Sequence, residues 1–179
     1  MKEFNIFQHL IDRHCDFTSD KSVIPDPVNN VVTFLIWNLS GELVGYQRYN
    51  PLTEDKKTNN PKEARYFTRV RKGRYAPYGL EQYTQDEPLY IVEGVFDLFS
   101  MRKAGATNVL AVLGSKPPNN FFDFLKSHQN EIIRVVDGTG DDKVKRLNFG
   151  EDRAIMCPDG EDANSLPTEK LKEMINAIK

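Results

Sequence analysis

With 179 residues, 39% of them hydrophobic, and a formal net charge of -2, the chain can bury a core without covalent staples. Its two cysteines, Cys15 and Cys157, exclude a disulfide framework, a C-x-x-C pair and a zinc ribbon, and they suit a reducing, cytosolic setting. No apolar run approaches the roughly 20 residues that span a bilayer, and the start, MKEFNIFQHLIDRH, lacks the apolar stretch and cleavage site of a signal peptide.

In chain order, FNIFQHLIDRH sets Phe4, Phe7, Leu10 and Ile11 at helical spacing, which predicts a short amphipathic helix packing on its own domain. Residues 16–30 are polar, contain Pro25 and Pro27, and read as a loop. VVTFLIWN and ELVGYQRYN, separated by Leu-Ser-Gly, predict a β-hairpin. PLTEDKKTNNPKEA is too polar to bury and reads as an excursion from the sheet.

After Pro88 the texture changes. LYIVEG, NVLAVLG, EIIRVVDG and RAIMCP are short apolar runs, and the first three end in glycine. Between them FDLFSMRKAG, FFDFLKSHQ and a charged stretch around DDKVKRL have helical period, and TEKLKEMINAI follows with Pro167 and Thr168 at its start. Alternating apolar strand and helix predicts a parallel sheet covered on both faces. The expected division is residues 1–88 and 89–179.

The small net charge conceals two opposed segments. Arg48 to Arg74 holds nine Lys or Arg against three acids, and Asp137 to Asp162 holds eight acids against four bases. That pairing suits a protein holding polyphosphate against bound cations, and it equally describes two solvated loops.

Ligands of open parallel sheets bind beyond the carboxyl ends of the strands, where loops and helix N-termini converge. Two of the predicted strands end in carboxylates there: Glu93 before Gly94, and Asp137 before Gly138. If the two strands are neighbours, both acids enter one crevice, and hard oxygen ligands suit Mg²⁺ or Mn²⁺ bridging to phosphate oxygens. Taken singly, Glu93 also fits an acid favoured at a helix N-terminus, and Asp137 a turn-forming Asp-Gly.

EGVFD with its preceding strand, AVLGS, VVDG and PDGEDANSL resemble, in order, the motifs of the TOPRIM domain in DnaG-type primases. Upstream, TFLIWNLSGELVGYQRYN is similar to the primase-core hairpin, and ARYFTRVRKGRYAPYGLEQY to the segment joining it to TOPRIM. The resemblance covers roughly residues 31–175 and implies a compact primase catalytic core of phage or mobile-element type. The implied fold is α/β: a TOPRIM domain, with a four-stranded parallel sheet flanked by helices, preceded by a small mixed α+β subdomain carrying the hairpin. The implied activity is that of a DNA-directed RNA polymerase, a nucleotidyltransferase making short RNA primers on single-stranded DNA in replication. It would use Mg²⁺ or Mn²⁺ and no zinc. Its partners would be single-stranded template, nucleoside triphosphates and, in trans, a replicative helicase or a template-binding protein. No membrane is implied, and the setting is bacterial or phage-infected host cytosol.

Carried over by position, Glu93 is the catalytic acid, on metal or as general acid/base. Asp137 is the first acid of the D-x-D motif and a metal ligand, and Asp97 supports the site or caps the helix. Arg48, Arg65, Arg69, Arg71, Lys72, Arg74 and Lys143 are the expected nucleic-acid or nucleotide contacts, since guanidinium and ammonium groups bind phosphate. Tyr66, Phe67, Tyr75 and Tyr78 can stack on bases or pack in the core, with packing favoured. The sequence departs from the family at Thr139, where the second D-x-D carboxylate is expected, and Asp141 and Asp142 stand close enough to replace it as metal ligands. Two other readings stay open: a TOPRIM nuclease cutting DNA or RNA, and a degenerate single-strand binding module.

Overall fold

The computed structural model describes residues 4–53, 58, 60–114, 117–138 and 153–178. Helix α1, Ile6–Asp12, is started by Asn5, whose side-chain oxygen accepts from the N–H groups of Phe7 and Gln8 at 3.0 and 3.1 Å. It buries Ile6 and Leu10 and leaves Phe7 and Ile11 exposed. So short a helix meets the core along a single i, i+4 line, and this line is displaced by one residue from the predicted face.

The predicted hairpin is β2, Val31–Trp37, and β3, Leu43–Tyr49, and it lies inside a four-stranded antiparallel sheet. Strand β1, Val23–Asp26, falls in the stretch read as loop. Pro25 hides it, yet proline is tolerated in an edge strand, and β1 is an edge in the order β1-β2-β3-β4. Asp26 then turns the chain by accepting from the N–H groups of Val28 and Asn29, both at 3.0 Å. Strand β4, Tyr66–Val70, forms the opposite edge and is made from the basic joining segment.

The second sheet is parallel and ordered β6-β5-β7-β8, from β5 (Leu89–Val92), β6 (Val109–Ala111), β7 (Ile132–Gly138) and β8 (Arg153–Asp159). Helices α2 (Val95–Lys103), α3 (Asn119–Lys126) and α4 (Thr168–Ile178) complete it. The fold is therefore α/β, as expected. The charged helical stretch around DDKVKRL lies outside the described residues.

Helix α2 is not one-sided. Val95 through Met101 are all buried, because α2 packs on β5, β6 and α4 and also receives the inner face of the antiparallel sheet. Phe34 meets Phe96 edge-on at 5.7 Å and Tyr78 at 5.8 Å, and Tyr49 meets Phe96 at 4.9 Å. One hydrophobic cluster thus runs from Ile6 to Ile175, across the expected boundary near residue 88, which itself falls between the two sheets. A second tie is an antiparallel bridge between Tyr78 and Ala111 on edge strand β6, with N–H to O distances of 2.9 and 3.0 Å.

Candidate active site

Strands β5 and β7 are hydrogen-bonded neighbours in parallel register, with Ile91 opposite Arg134. Continuing that register sets Glu93 opposite Val136, one residue short of Asp137. The order of strands reverses here, β6 lying on one side of β5 and β7 on the other, which is where an open sheet gapes. Glu93 and Asp137 both line a cleft of about 380 Å³ together with Gly94, Asp97, Leu113 and Gly114. Its remaining wall is the antiparallel sheet, through Gln47, Tyr66 and Thr68.

The loops around these acids are held by backbone geometry. The carbonyl of Glu93 accepts from the N–H of Leu113 at 2.8 Å, and Leu113 and Gly114 take positive φ of 57° and 65° in succession. Leu113 is strained there, since a side chain disfavours the left-handed region. At the end of β7 the N–H of Gly138 donates to the carbonyl of Glu161 at 2.8 Å, and a Cβ on Gly138 would overlap the carbonyl of Pro158. This residue must be glycine for the 158–166 loop to close beside Asp137.

Asp97 anchors that loop. Its Oδ2 accepts from the N–H of Gly94 at 3.0 Å, capping α2, and its Oδ1 accepts from the N–H of Asn164 at 3.2 Å. Asn164 also donates through its side-chain amide to Ser100 at 2.9 Å. Burial raises the Asp97 carboxyl to about 7, and the negative charge of Asp162 adds to the rise. The supporting and capping roles considered for Asp97 thus coexist in one side chain.

Gln47 and Thr68 are cleft residues that the sequence reading missed, and Leu113 and Gly114, within the AVLGS motif, join them. Gln47 is buried and donates from its amide to the Thr68 hydroxyl at 2.8 Å. The signal available for the first two was the strand period: once β3 and β4 are paired, Gln47 and Thr68 stand opposite each other and point the same way. On the α1 side stands Arg13, its guanidinium 3.9 Å from the ring centre of Phe96. Among the described residues it makes no hydrogen bond or ion pair. Its charge opposes protonation of His9, whose pKa is lowered mainly by burial.

The expected basic contacts are spread along the antiparallel sheet and the segment after it. Arg65 immediately precedes β4, and Tyr66, the first residue of β4, lines the cleft. Arg71 pairs with Glu42 at 2.6 Å and Arg74 lies 4.0 Å from the same carboxylate, at the far end of the hairpin. Arg48 donates to the carbonyl of Pro61, and Arg48 and Arg69 occupy the sheet face away from the cleft. Lys72 is exposed beside Arg71. Of the four aromatics, Tyr78 is fully buried and Tyr75 packs on Phe121 at 5.6 Å, whereas Tyr66 borders the cleft and Phe67 faces outward. Thr139, Asp141, Asp142 and Lys143 lie outside the described residues.

Comparison with known proteins assigns this arrangement. Residues 87–163 match the Toprim domain family. The parallel half of the chain is a Toprim domain. A DNA primase of Legionella pneumophila is 27% identical over 83% of the chain, which spans 28% of that protein's length. A DNA primase domain from Pseudomonas aeruginosa superposes with a TM-score of 0.65 at 17% identity, over 98% of this chain and 59% of that one. A DnaG primase catalytic domain bound to single-stranded DNA superposes with a TM-score of 0.58 at 20% identity, over 95% and 58%. The Toprim domain and the antiparallel sheet ahead of it together have the fold of a DnaG-type primase catalytic core.

Two carboxylates at adjacent strand ends fit a divalent cation of the Mg²⁺ class, which keeps several waters and takes its remaining ligands from phosphate oxygens. Among the described residues no group of three or more His, Cys, Asp or Glu could hold a metal by itself. No described helix is long and apolar enough to cross a membrane.

Proposed function

We propose that the chain catalyses primase-type synthesis, joining ribonucleotides on a single-stranded DNA template with Mg²⁺ or Mn²⁺. The observation that carries this reading is the convergence of Glu93 and Asp137, from neighbouring parallel strands, on a cleft closed by Gln47, Tyr66 and Thr68 of the antiparallel sheet. The likeness to a DnaG catalytic domain bound to single-stranded DNA supports it.

Glu93 and Asp137 would hold the metal, which when bound neutralises triphosphate charge and orients it for in-line displacement. The chain's own groups do the rest. The primer 3′-hydroxyl oxygen bonds to the α-phosphorus, the bond to pyrophosphate breaks, and the hydroxyl proton passes to Glu93 or to water beside it. Arg65 holds phosphate oxygens in bidentate fashion, and Tyr66 offers a ring to a base at the cleft wall. Asp97 fixes the turn that aims Glu93 and the loop that backs Asp137. Template selection and contact with a helicase would involve a partner in trans, and the setting would be cytosol.

The test is a gel assay with purified protein, single-stranded DNA and labelled nucleoside triphosphates in Mg²⁺ and in Mn²⁺, with Glu93→Gln as control. Short labelled products that vanish in the control are expected. A shortened template without labelled product would make the site a nuclease. An intact template with no product would favour the binding-module reading, for which Thr139 in place of an acid is the specific support. Thr139→Asp separates these further: a gain in Mg²⁺-dependent synthesis marks a weakened D-x-D pair, and no gain points to Asp141 or Asp142 as the replacement.

A further inference from the structure

Helix α2 runs from the catalytic cleft to a second hollow. Gly94 and Asp97 at its start line the cleft, and Phe99, Arg102 and Lys103 toward its end line a cavity of about 600 Å³ closed by the chain that follows α1. Between its ends the helix rises about 12 Å, at 1.5 Å per residue. Ile11, Cys15, Phe17 and Phe99 give the cavity apolar walls, and its charged groups are unevenly matched. Asp16 accepts from the N–H and hydroxyl groups of both Thr18 and Ser19. Asp20 accepts from the Ser22 N–H at 2.8 Å and from the Tyr78 hydroxyl at 3.3 Å. The acids thus have their donors, whereas the bases lack acceptors. Arg102 Nη1 stands 3.9 Å from Asp20, too far for a hydrogen bond, and its Nε and Nη2 atoms are buried with no partner. Lys103 is exposed and makes no hydrogen bond or ion pair among the described residues. The half unit of negative charge at the C-terminal end of a helix leaves most of two positive charges unmatched.

We infer that this cavity is a second ligand site, taking a small phosphate ester that carries a flat ring, the class to which nucleoside monophosphates belong. A phosphate dianion matches two unpaired cations, where a carboxylate matches one. Its oxygens give the guanidinium nitrogens the acceptors they lack and so remove the cost of leaving them unsatisfied. For this Arg102 swings toward the hollow from its place against Gly79, a side-chain change of the kind that commonly accompanies binding. A ring then lies between Phe17 and Phe99, and the Gln82 amide, which can both donate and accept, meets its polar edge. The volume is that of a small-molecule site and exceeds the 380 Å³ of the catalytic cleft. None of these residues belongs to the cleft, so the second site can be filled whether the first is empty or occupied.

The experiment titrates the full chain calorimetrically with adenosine 5′-monophosphate, with adenosine and inorganic phosphate as separate probes, and locates binding from amide shifts in isotope-labelled protein. The monophosphate is expected to bind roughly tenfold or more tightly than either of its halves. Its amide shifts should gather at residues 14–20 and 99–103. Lys103→Gln, at an exposed position, should weaken it about fivefold, and Arg102→Gln about tenfold or more. Glu93→Gln alters only the catalytic cleft and should bind within about twofold of the parent. The site is overturned by absence of binding, by shifts confined to Glu93, Gly94 and the 111–114 turn, or by unchanged affinity in both cavity variants. Adenosine that binds as tightly as its monophosphate overturns the assignment of the phosphate to Arg102 and Lys103. Should Arg102→Gln fail to fold, Lys103→Gln and the shift map decide the matter. Because binding is read without turnover, failure of primer synthesis and failure of this site are distinguishable.

Discussion

The two sheets use their residues in opposite ways. In the parallel sheet β5 and β6 are buried on both faces while β7 and β8 alternate, the candidate chemistry lies at strand ends, and Glu93 and Asp137 come together only because β5 and β7 are neighbours. In the antiparallel sheet the ends are ordinary turns and the two faces differ: one supplies core and cleft wall, the other meets solvent. Neighbouring residues such as Thr68 and Arg69 therefore serve different surfaces, whereas Glu93 and Asp137, far apart in sequence, serve one. In this fold, proximity along the chain is no guide to shared function in either sheet.

The comparison would break most visibly if the sheets were independent units. Phe34→Ala empties the ring contact between the antiparallel sheet and α2 and is expected to cost about 3–5 kcal/mol. Urea transitions followed by Trp37 fluorescence and by helical circular dichroism should remain coincident, and a split would make the halves separate folding units. Gly138→Ala comes next. A Cβ there overlaps the Pro158 carbonyl, so the variant should lose roughly 1–3 kcal/mol and more than tenfold in synthesis, because the shift falls beside Asp137. A fully active, stable variant would show that the end of β7 tolerates displacement.

Asp97 sharpens the contrast through pH. Its folded pKa, about 7, lies above the ordinary 3.8, so the fold prefers the protonated form. The associated stability is fully present below about pH 4 and is lost as pH rises through about 7, on the order of a few kcal/mol. Asp97→Asn should be less stable at pH 5, since an amide cannot accept from both the Gly94 and Asn164 N–H groups, yet its melting temperature should vary less between pH 4 and 8. Equal slopes in parent and variant would remove Asp97 from the titration. The smallest effect is at the hairpin end. Glu42 and Arg71 are exposed, so Glu42→Ala should move stability by no more than about 0.5 kcal/mol. Freed of that acid, Arg71 and Arg74 should tighten single-strand binding by about twofold, and weaker binding would mean Glu42 orients them.

Much of the parallel half was legible because its strands are short unbroken apolar runs ended by glycine, a pattern little else produces. Strand β1 was not, since Pro25 and its polar neighbours imitate a loop and only an edge position excuses them. The burial of α2 on all sides was also hidden, because the surface covering its second face comes from residues some 60 positions earlier, such as Phe34. Glu93 and Asp137 could be named from strand ends, but their meeting depended on a strand order that no local pattern prints. The basic segment looks like one patch in sequence; the structure shows Arg69, Arg71 and Lys72 lining one hollow, with Arg71 paired to Glu42, whereas Tyr66 and Thr68 between the arginines turn to the cleft.

The bridge between Tyr78 and Ala111 has a consequence for life in a crowded solution. Strand β6 ends the parallel sheet, and an unpaired strand edge is a template on which a second copy of the chain can add its own strand. By laying its joining segment along that edge, with Tyr78 buried beneath it, the chain satisfies the edge hydrogen bonds of Ala111 internally. The segment that links the two halves thereby also guards the molecule against edge-to-edge aggregation.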